Sequence, residues 1–230
     1  MKTIGILAGM TWQSSITYYR EINASIQEQL GGEHSAKILM YSVDFAEIEA
    51  VHQNGNWPEA GRILAEGGLK LKAGGADFIL MATNTMHIVA DDVIQATGLP
   101  FLHIAEVTAD QLLADGIHTV ALTGTKFTME MPFYLDILRR RGLNVLVPDE
   151  EQRNFIQNTI HAELGHGIIR EDTLHTFQAV LEDLKSHGAE AVILGCTEIG
   201  LLINKDNSPL ATYDTAIIHA KAAAKFALEN

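Results

Sequence analysis

One stretch of this chain occurs twice. Phe78-Ile79-Leu80-Met81-Ala82-Thr83-Asn84-Thr85 returns without a gap as Ala191-Val192-Ile193-Leu194-Gly195-Cys196-Thr197-Glu198, and the likeness begins earlier, at Gly75-Ala76-Asp77 and Gly188-Ala189-Glu190. Thr83 therefore stands opposite Cys196, at an offset of 196 − 83 = 113 residues. Each copy has a helix-stop glycine, a short apolar run and then small hydroxyl, amide or thiol residues, the pattern of a buried parallel strand ending in a polar turn. Ligands of open α/β sheets sit at that end of the strand. The duplication predicts two half-sites facing one ligand, unlike in the residue that matters chemically.

Two compact domains suit the length of 230 residues. A hydrophobic content of 47% with 20% charged residues describes a chain that buries a core, not a disordered one. The net charge of −13, with only 16 Lys and Arg, argues against a nucleic-acid surface. The sole basic run, Arg139-Arg140-Arg141, reads as the solvated end of a helix. No segment reaches the roughly 18 apolar residues of a membrane span, and the N-terminal segment lacks a secretory pattern. One cysteine excludes an internal disulfide, so a reducing cytoplasm is the expected setting.

Strand and helix signals alternate, which predicts mainly parallel α/β sheets flanked by helices. Thr3–Leu7 reads as a first strand, followed by a turn at Gly9 and a helix that Ser14 or Ser15 could cap. Lys37–Val43 gives a second strand, a helix runs from about Trp57 to Lys72, and the first repeat copy is the third strand. A helix begins near Met86, and Phe101-Leu102-His103-Ile104 is a short strand or crossover. His118–Thr125 restarts the pattern, with helices over Met131–Arg141, Glu151–Leu164 and Thr173–His187, a strand over Asn144–Val147, and the second copy. An alanine-rich helix, Ala216–Leu228, closes the chain. The expected domains are residues 1–100 plus 211–230, and residues 101–210.

Cys196 ends a buried strand ahead of an expected helix start, where helix-terminal N–H groups could hold it as thiolate below its free value of about 8.5. A buried, inert cysteine is the plainer alternative. Thr83 offers a hydroxyl, a proton donor or relay but a poor base; alone it would read as a helix cap. Asn84, Thr85, Thr125 and Thr197 supply polar groups at strand–helix junctions, suited to a carboxylate. His52, His87, His103, His166 and His219 are individually weak signals, with His219 favoured by its place after Asp214-Thr215. Metal motifs, the G-x-G-x-x-G fingerprint and the G-x-x-x-x-G-K-[ST] loop are all missing.

Taken together, Gly9-Met10-Thr11-Trp12, Thr83-Asn84-Thr85-Met86-His87, Gly124-Thr125-Lys126-Phe127-Thr128, Gly195-Cys196-Thr197-Glu198 and Asp214–Ala220 resemble the aspartate/glutamate racemase family over nearly the whole chain. The resemblance implies two pseudo-symmetric Rossmann-like domains with the active site in the cleft between them, PLP-independent chemistry without a cofactor or metal, and a homodimer. It also implies that the last helix crosses back onto the first domain. Members carry two cysteines on opposite sides of the substrate α-carbon. Here the first is replaced by Thr83, as in the L-aspartate/glutamate-specific branch, and the second is Cys196. The implied substrate contacts are Met10, Thr11, Gln13, His52, Asn84, Thr85, Thr125, Thr197 and Glu198.

Such a pair is asymmetric. A Cys196 thiolate can take the α-proton of one enantiomer while Thr83, or a water that it holds, returns one to the opposite face. The reverse passage asks a hydroxyl to act as base, which is far less favourable. The arginine and lysine that the family uses on the side-chain carboxylate are absent: their places read Asp44-Phe45-Ala46-Glu47-Ile48-Glu49 and Glu163-Leu164-Gly165-His166. His52, Gln13 or His166 would have to substitute, and a broader specificity is open. The competing readings are a one-cysteine decarboxylase or cis–trans isomerase of the arylmalonate decarboxylase or maleate isomerase type, a Cys-His hydrolase built on Cys196 and His219 with Asp214 or Glu198, and a two-domain amino-acid-binding protein.

Overall fold

A computed structural model describes residues 1–53 and 55–229. The chain divides into two compact units, Met1–Val107 with Ala216–Asn230, and Thr108–Thr215. These divisions fall after Val107 and Thr215, where the sequence reading places them after residues 100 and 210.

In the first unit, β1 (Ile4–Ala8) is flanked by β2 (Ile38–Ser42) and β3 (Phe78–Met81), all parallel, in the order β2-β1-β3. Phe101 adds a single parallel bridge to Ile79 on the free side of β3. The helices are α1 (Trp12–Leu30), α2 (Phe45–Gln53), α3 (Trp57–Ala73) and α4 (Ala90–Thr97), the last preceded by a 3₁₀ turn over Thr85–Val89. Next comes α5 (Ile104–Ala114), a helix that the sequence reading does not assign beyond the short strand or crossover at Phe101–Ile104.

The second unit repeats this order with a full fourth strand. β4 (Thr119–Gly124), β5 (Asn144–Leu146), β6 (Ala191–Gly195) and β7 (Ala211–Asp214) run β5-β4-β6-β7, again all parallel. β7 pairs with β6 along its length, which is why residues 211–214 belong here and not with the first domain. Between the strands lie α6 (Lys126–Glu130), α7 (Pro132–Arg140), α8 (Glu150–Ala162), α9 (Glu171–Ser186) and the single turn α10 (Ile199–Leu202). The chain closes with α11 (Thr215–Leu228).

The repeated Gly-Ala-acid step has a mechanical meaning. Asp77 Oδ2 accepts the Thr3 N–H at 2.6 Å, and Glu190 Oε2 accepts the N–H groups of His118 and Thr119 at 2.8 and 2.6 Å. Each acid ties down the start of the neighbouring central strand, and so helps set the register that carries the far ends of β3 and β6 to their places. These two backbone N–H groups, Thr119 first, hold the Glu190 carboxyl below its usual range.

Apolar burial follows the pattern. Ala216, Ala220, Ala223, Ala224 and Ala227 form one helical stripe of α11, buried in one cluster with Ile4, Ile6 and Ala8 of β1 and Phe78 and Leu80 of β3. Small side chains let the helix lie close to the sheet. The second unit's core joins Val192 and Leu194 of β6 to Ile156, Phe177 and Leu181.

Candidate active site

Thr83 and Cys196 lie just past the C-terminal ends of β3 and β6, each a strand paired on both sides within its own unit. Both residues are partly buried. Gly195, immediately before the cysteine, admits no side chain, since a Cβ there would stand 2.6 Å from the Thr123 carbonyl oxygen. Buried hydroxyls brace the same strand from both sides: Thr123 donates to the Ile193 carbonyl at 2.9 Å and Thr215 to the Leu194 carbonyl at 3.0 Å. Neither brace has a sequence signature beyond a threonine near a strand end.

The state of Cys196 differs from the sequence expectation. The helix that follows is one turn of four residues and starts only at Ile199, too short a run of N–H groups to hold a thiolate. Instead Sγ donates to Glu198 Oε2 at 2.9 Å, and Thr197 Oγ1 donates to the same oxygen at 2.8 Å. Burial pushes the thiol well above its ordinary value, and the Glu198 carboxylate pushes the same way by charge and hydrogen bond, against the Glu198 N–H. Cys196 rests as a neutral thiol.

Thr83 enters a turn in which Asn84 is buried and accepts the His87 backbone N–H at 3.1 Å, while Thr85 opens the 3₁₀ turn. His87 is buried too, and its Nε2 accepts the Ile104 N–H at 3.3 Å; His103 Nδ1 accepts the Ala105 N–H at 3.2 Å. Two imidazoles thus cap α5. Burial, then the neighbouring His103 and His219 rings, lower the His87 pKa well below its ordinary value, opposed by the Thr83 and Asn84 backbone. That suits the role, because an imidazolium at a helix N-terminus would face the dipole's positive end.

His219 belongs to this cluster. Its Nε2 donates to the Leu102 carbonyl at 2.9 Å, so its Nδ1 is the lone-pair nitrogen that accepts from Tyr18 OH at 2.8 Å. Fully buried and held neutral, chiefly by burial, with a pKa lowered to about 3, it has no nitrogen free to serve as a base. This removes the support for the Cys-His hydrolase reading.

The other candidates lie on several elements. Met10 packs into the core with Leu7 and Ile48. Thr11 is the N-cap of α1, accepting from the Ser14 N–H at 3.4 Å, while Ser15 Oγ receives the Gly9 N–H at 2.9 Å; the serines do not cap. Gln13 is exposed in the first turn of α1. His52, in the last turn of α2, stacks edge-on with Trp57, and His166 is exposed. Thr125 caps α6, whose first N–H is taken by Gln157 at 2.8 Å. Among the described residues, no group of three or more His, Cys, Asp or Glu is placed to hold a metal ion, and no helix is long and apolar enough to cross a membrane.

Comparison with known proteins gives consistent findings. The family model described as Asp/Glu/Hydantoin racemase matches residues 7–223. The broad specificity amino-acid racemase RacX of Bacillus subtilis (strain 168) is 26% identical over 225 residues, 95% of either chain. Among solved structures, a Yersinia pestis protein described as a candidate Asp/Glu racemase is 45% identical, with full coverage of both chains and a TM-score of 0.95. An aspartate racemase homologue from Pyrococcus horikoshii OT3 is 32% identical, again with full coverage of both, at a TM-score of 0.86.

Proposed function

Because this chain belongs to the Asp/Glu/Hydantoin racemase family, a family of PLP-independent amino-acid isomerases, we propose that it racemises L-aspartate and L-glutamate with Cys196 as base and Thr83 as the opposing proton donor. The observation that carries this reading is the equivalence of the two residues: each follows the same internal strand, β3 or β6, in sheets of the same order. The thiolate of Cys196 removes the α-proton of the L enantiomer, leaving its electron pair on the α-carbon. The hydroxyl of Thr83, or a water that it holds, delivers a proton to the other face. Hydroxyls and amides at the two strand ends, with Asn84, Thr85, Thr125 and Thr197 foremost, bind the substrate's α-carboxylate and ammonium groups.

Thr83 is a poor base, so starting from the D side asks more of it; kcat/KM is nevertheless the same from either enantiomer, and the asymmetry falls on kcat and KM separately. The equilibrium between enantiomers is untouched. A broader amino-acid range is a second reading, supported by the missing arginine and lysine and by the name of the Bacillus subtilis relative. The same proposal includes a cytoplasmic homodimer. Trp12, Ile16 and Tyr19, exposed along one face of α1, form an apolar patch of the kind that a second copy covers; light scattering would measure the mass.

The test is incubation with L- and D-aspartate and L- and D-glutamate in D₂O without added cofactor, following α-proton loss by NMR and configuration by chiral chromatography. Exchange and inversion from the L side, abolished by Cys196→Ala, are expected. No exchange from any of the four, with exchange of neutral amino acids instead, would move the substrate to the broader class.

A further inference from the structure

An aspartate or glutamate carries two carboxylates and one ammonium group, so one negative charge of the proposed substrate has no counter-charge within the substrate itself. The hydroxyls and amides assigned to the strand ends carry no charge to meet it. One basic side chain is placed to do so. Among the described residues three basic side chains are partly buried, Lys2, Lys126 and Arg153. Lys2 Nζ donates to the Phe226 carbonyl at 3.4 Å and stands over the Phe226 ring, while Arg153 pairs with Glu130 at 2.8 Å and reaches the Pro148 carbonyl at 2.6 Å. Lys126 Nζ has neither a hydrogen bond nor an ion pair among the described residues. Holding an ammonium group partly out of water without a counter-charge is unfavourable, so such a group marks a place for an anion.

Lys126 stands at the same end of the second unit's sheet as Cys196. It follows Thr125 beyond β4, whose last residue, Gly124, pairs with Gly195 immediately before the cysteine. The two segments leave the sheet side by side: a Cβ at Gly124 would stand 2.9 Å from the Gly195 carbonyl oxygen. The root of the lysine is fixed, since its N–H donates to Gln157 Oε1 at 2.8 Å and Thr125 caps the short helix that it opens. A flexible four-carbon stem on a fixed root lets the ammonium group follow a carboxylate on side chains of different length.

We propose that Lys126 binds the side-chain carboxylate of the substrate and is the residue that selects acidic over neutral amino acids, an inference that rests on the racemase reading for the identity of the ligand. It supplies the cation that Asp44–Glu49 and Glu163–His166 lack. With the α-carboxylate and α-ammonium groups held by uncharged groups at the strand ends, the lysine meets only the charge that distinguishes aspartate from asparagine.

Lys126→Met removes the charge and keeps an unbranched stem, Lys126→Arg keeps the charge, and circular dichroism checks that both variants fold. Racemisation of L-aspartate and L-glutamate, and calorimetric binding of L-aspartate and L-asparagine, are measured on the parent and both variants. In Lys126→Met the KM for either acid is expected to rise by about 30-fold or more, the usual effect of leaving one member of a desolvated charge pair alone. kcat is expected to stay within about threefold, because the contact is the same before and during proton transfer. Binding of L-aspartate relative to L-asparagine is expected to fall by about the same factor as KM rises, and Lys126→Arg to recover part of it. A KM within about threefold of the parent, a loss carried by kcat alone, or a weakening that falls equally on L-asparagine, as for a residue that only supports the fold, would overturn the proposal. So would a parent that binds L-aspartate no better than L-asparagine. A parent that binds L-aspartate through Lys126 yet exchanges no amino acid would sink the racemase reading alone, whereas an active parent whose preference for acids survives Lys126→Met would sink the lysine assignment alone.

Discussion

Thr83 and Cys196 occupy matching positions but have unequal chemistry, and the inequality can be measured one residue at a time. Without the Thr83 hydroxyl, the thiolate of Cys196 still removes an α-proton and, after exchange with solvent, returns a deuteron to the same face. Thr83→Ala is therefore expected to keep α-deuterium incorporation into the L enantiomer while inversion falls at least about 10²-fold, seen by NMR and chiral chromatography on one sample. The identity of this pair was legible because the duplication aligns two strand ends and exposes the one position where a thiol meets a hydroxyl. The protonation state of the thiol was not. It depends on partial burial and on a carboxylate two residues away turning back toward the sulfur, and a sequence shows the neighbour without its direction. The same holds for Asp77 and Glu190, visible as part of the repeat, whose grip on the adjacent strand appears only once that strand lies beside them.

Elements were read with uneven success for physical reasons. Strands β1, β3, β4 and β6 announce themselves as apolar runs ending at small residues. Helix α5 does not, because its caps are imidazoles: His87 and His103 take the N–H groups of Ile104 and Ala105 where Ser, Thr, Asp or Asn would be looked for. Neutral caps make this corner acid-sensitive. His219, at about 3 in the folded protein and near 6.5 unfolded, gives the unfolded chain the greater proton uptake between those values. Its contribution to stability is complete above pH 6.5 and is lost as pH falls toward 3, amounting to about 2 kcal/mol by pH 5; His87 acts in the same direction. Urea midpoints at pH 7.5 and 5 would show the drop, and His219→Gln should be less stable at pH 7.5 yet lose less on acidification. Helix α11 carries a different constraint. Its alanine stripe is buried in one cluster with β1 and β3, Ala223 completely, so Ala223→Leu is expected to cost about 1–3 kcal/mol by overpacking, read as a lowered melting temperature.

Across the whole molecule, two units share one order of strands; the duplication made the equivalence of β3 and β6 legible, whereas the order itself is set by which edges pair. The limits of each unit were harder to read. A strand joins whichever sheet offers a free edge, and β7 finds that edge at β6 although the helix after it serves the first unit. Removing residues 216–230 deletes α11 and bares the apolar face of β1 and β3 that it covers. Such a shortened chain is expected to lose amide protection in β1–β3 while β4–β7 keep theirs, as hydrogen exchange would report.

The division of the first unit also sets a timetable. A polypeptide leaves the ribosome from its amino end, and domains made of contiguous residues usually fold in that order. Here β1 emerges early and α11 late, whereas Thr108–Thr215 is one unbroken stretch. The second unit has all its parts outside the tunnel before the first can close. During that interval Ile4, Ile6, Phe78 and Leu80 have Tyr18, Ile22 and Ile26 of α1 in their cluster but lack the alanines of α11, and the nascent chain presents the remaining apolar surface to any chaperone that holds it.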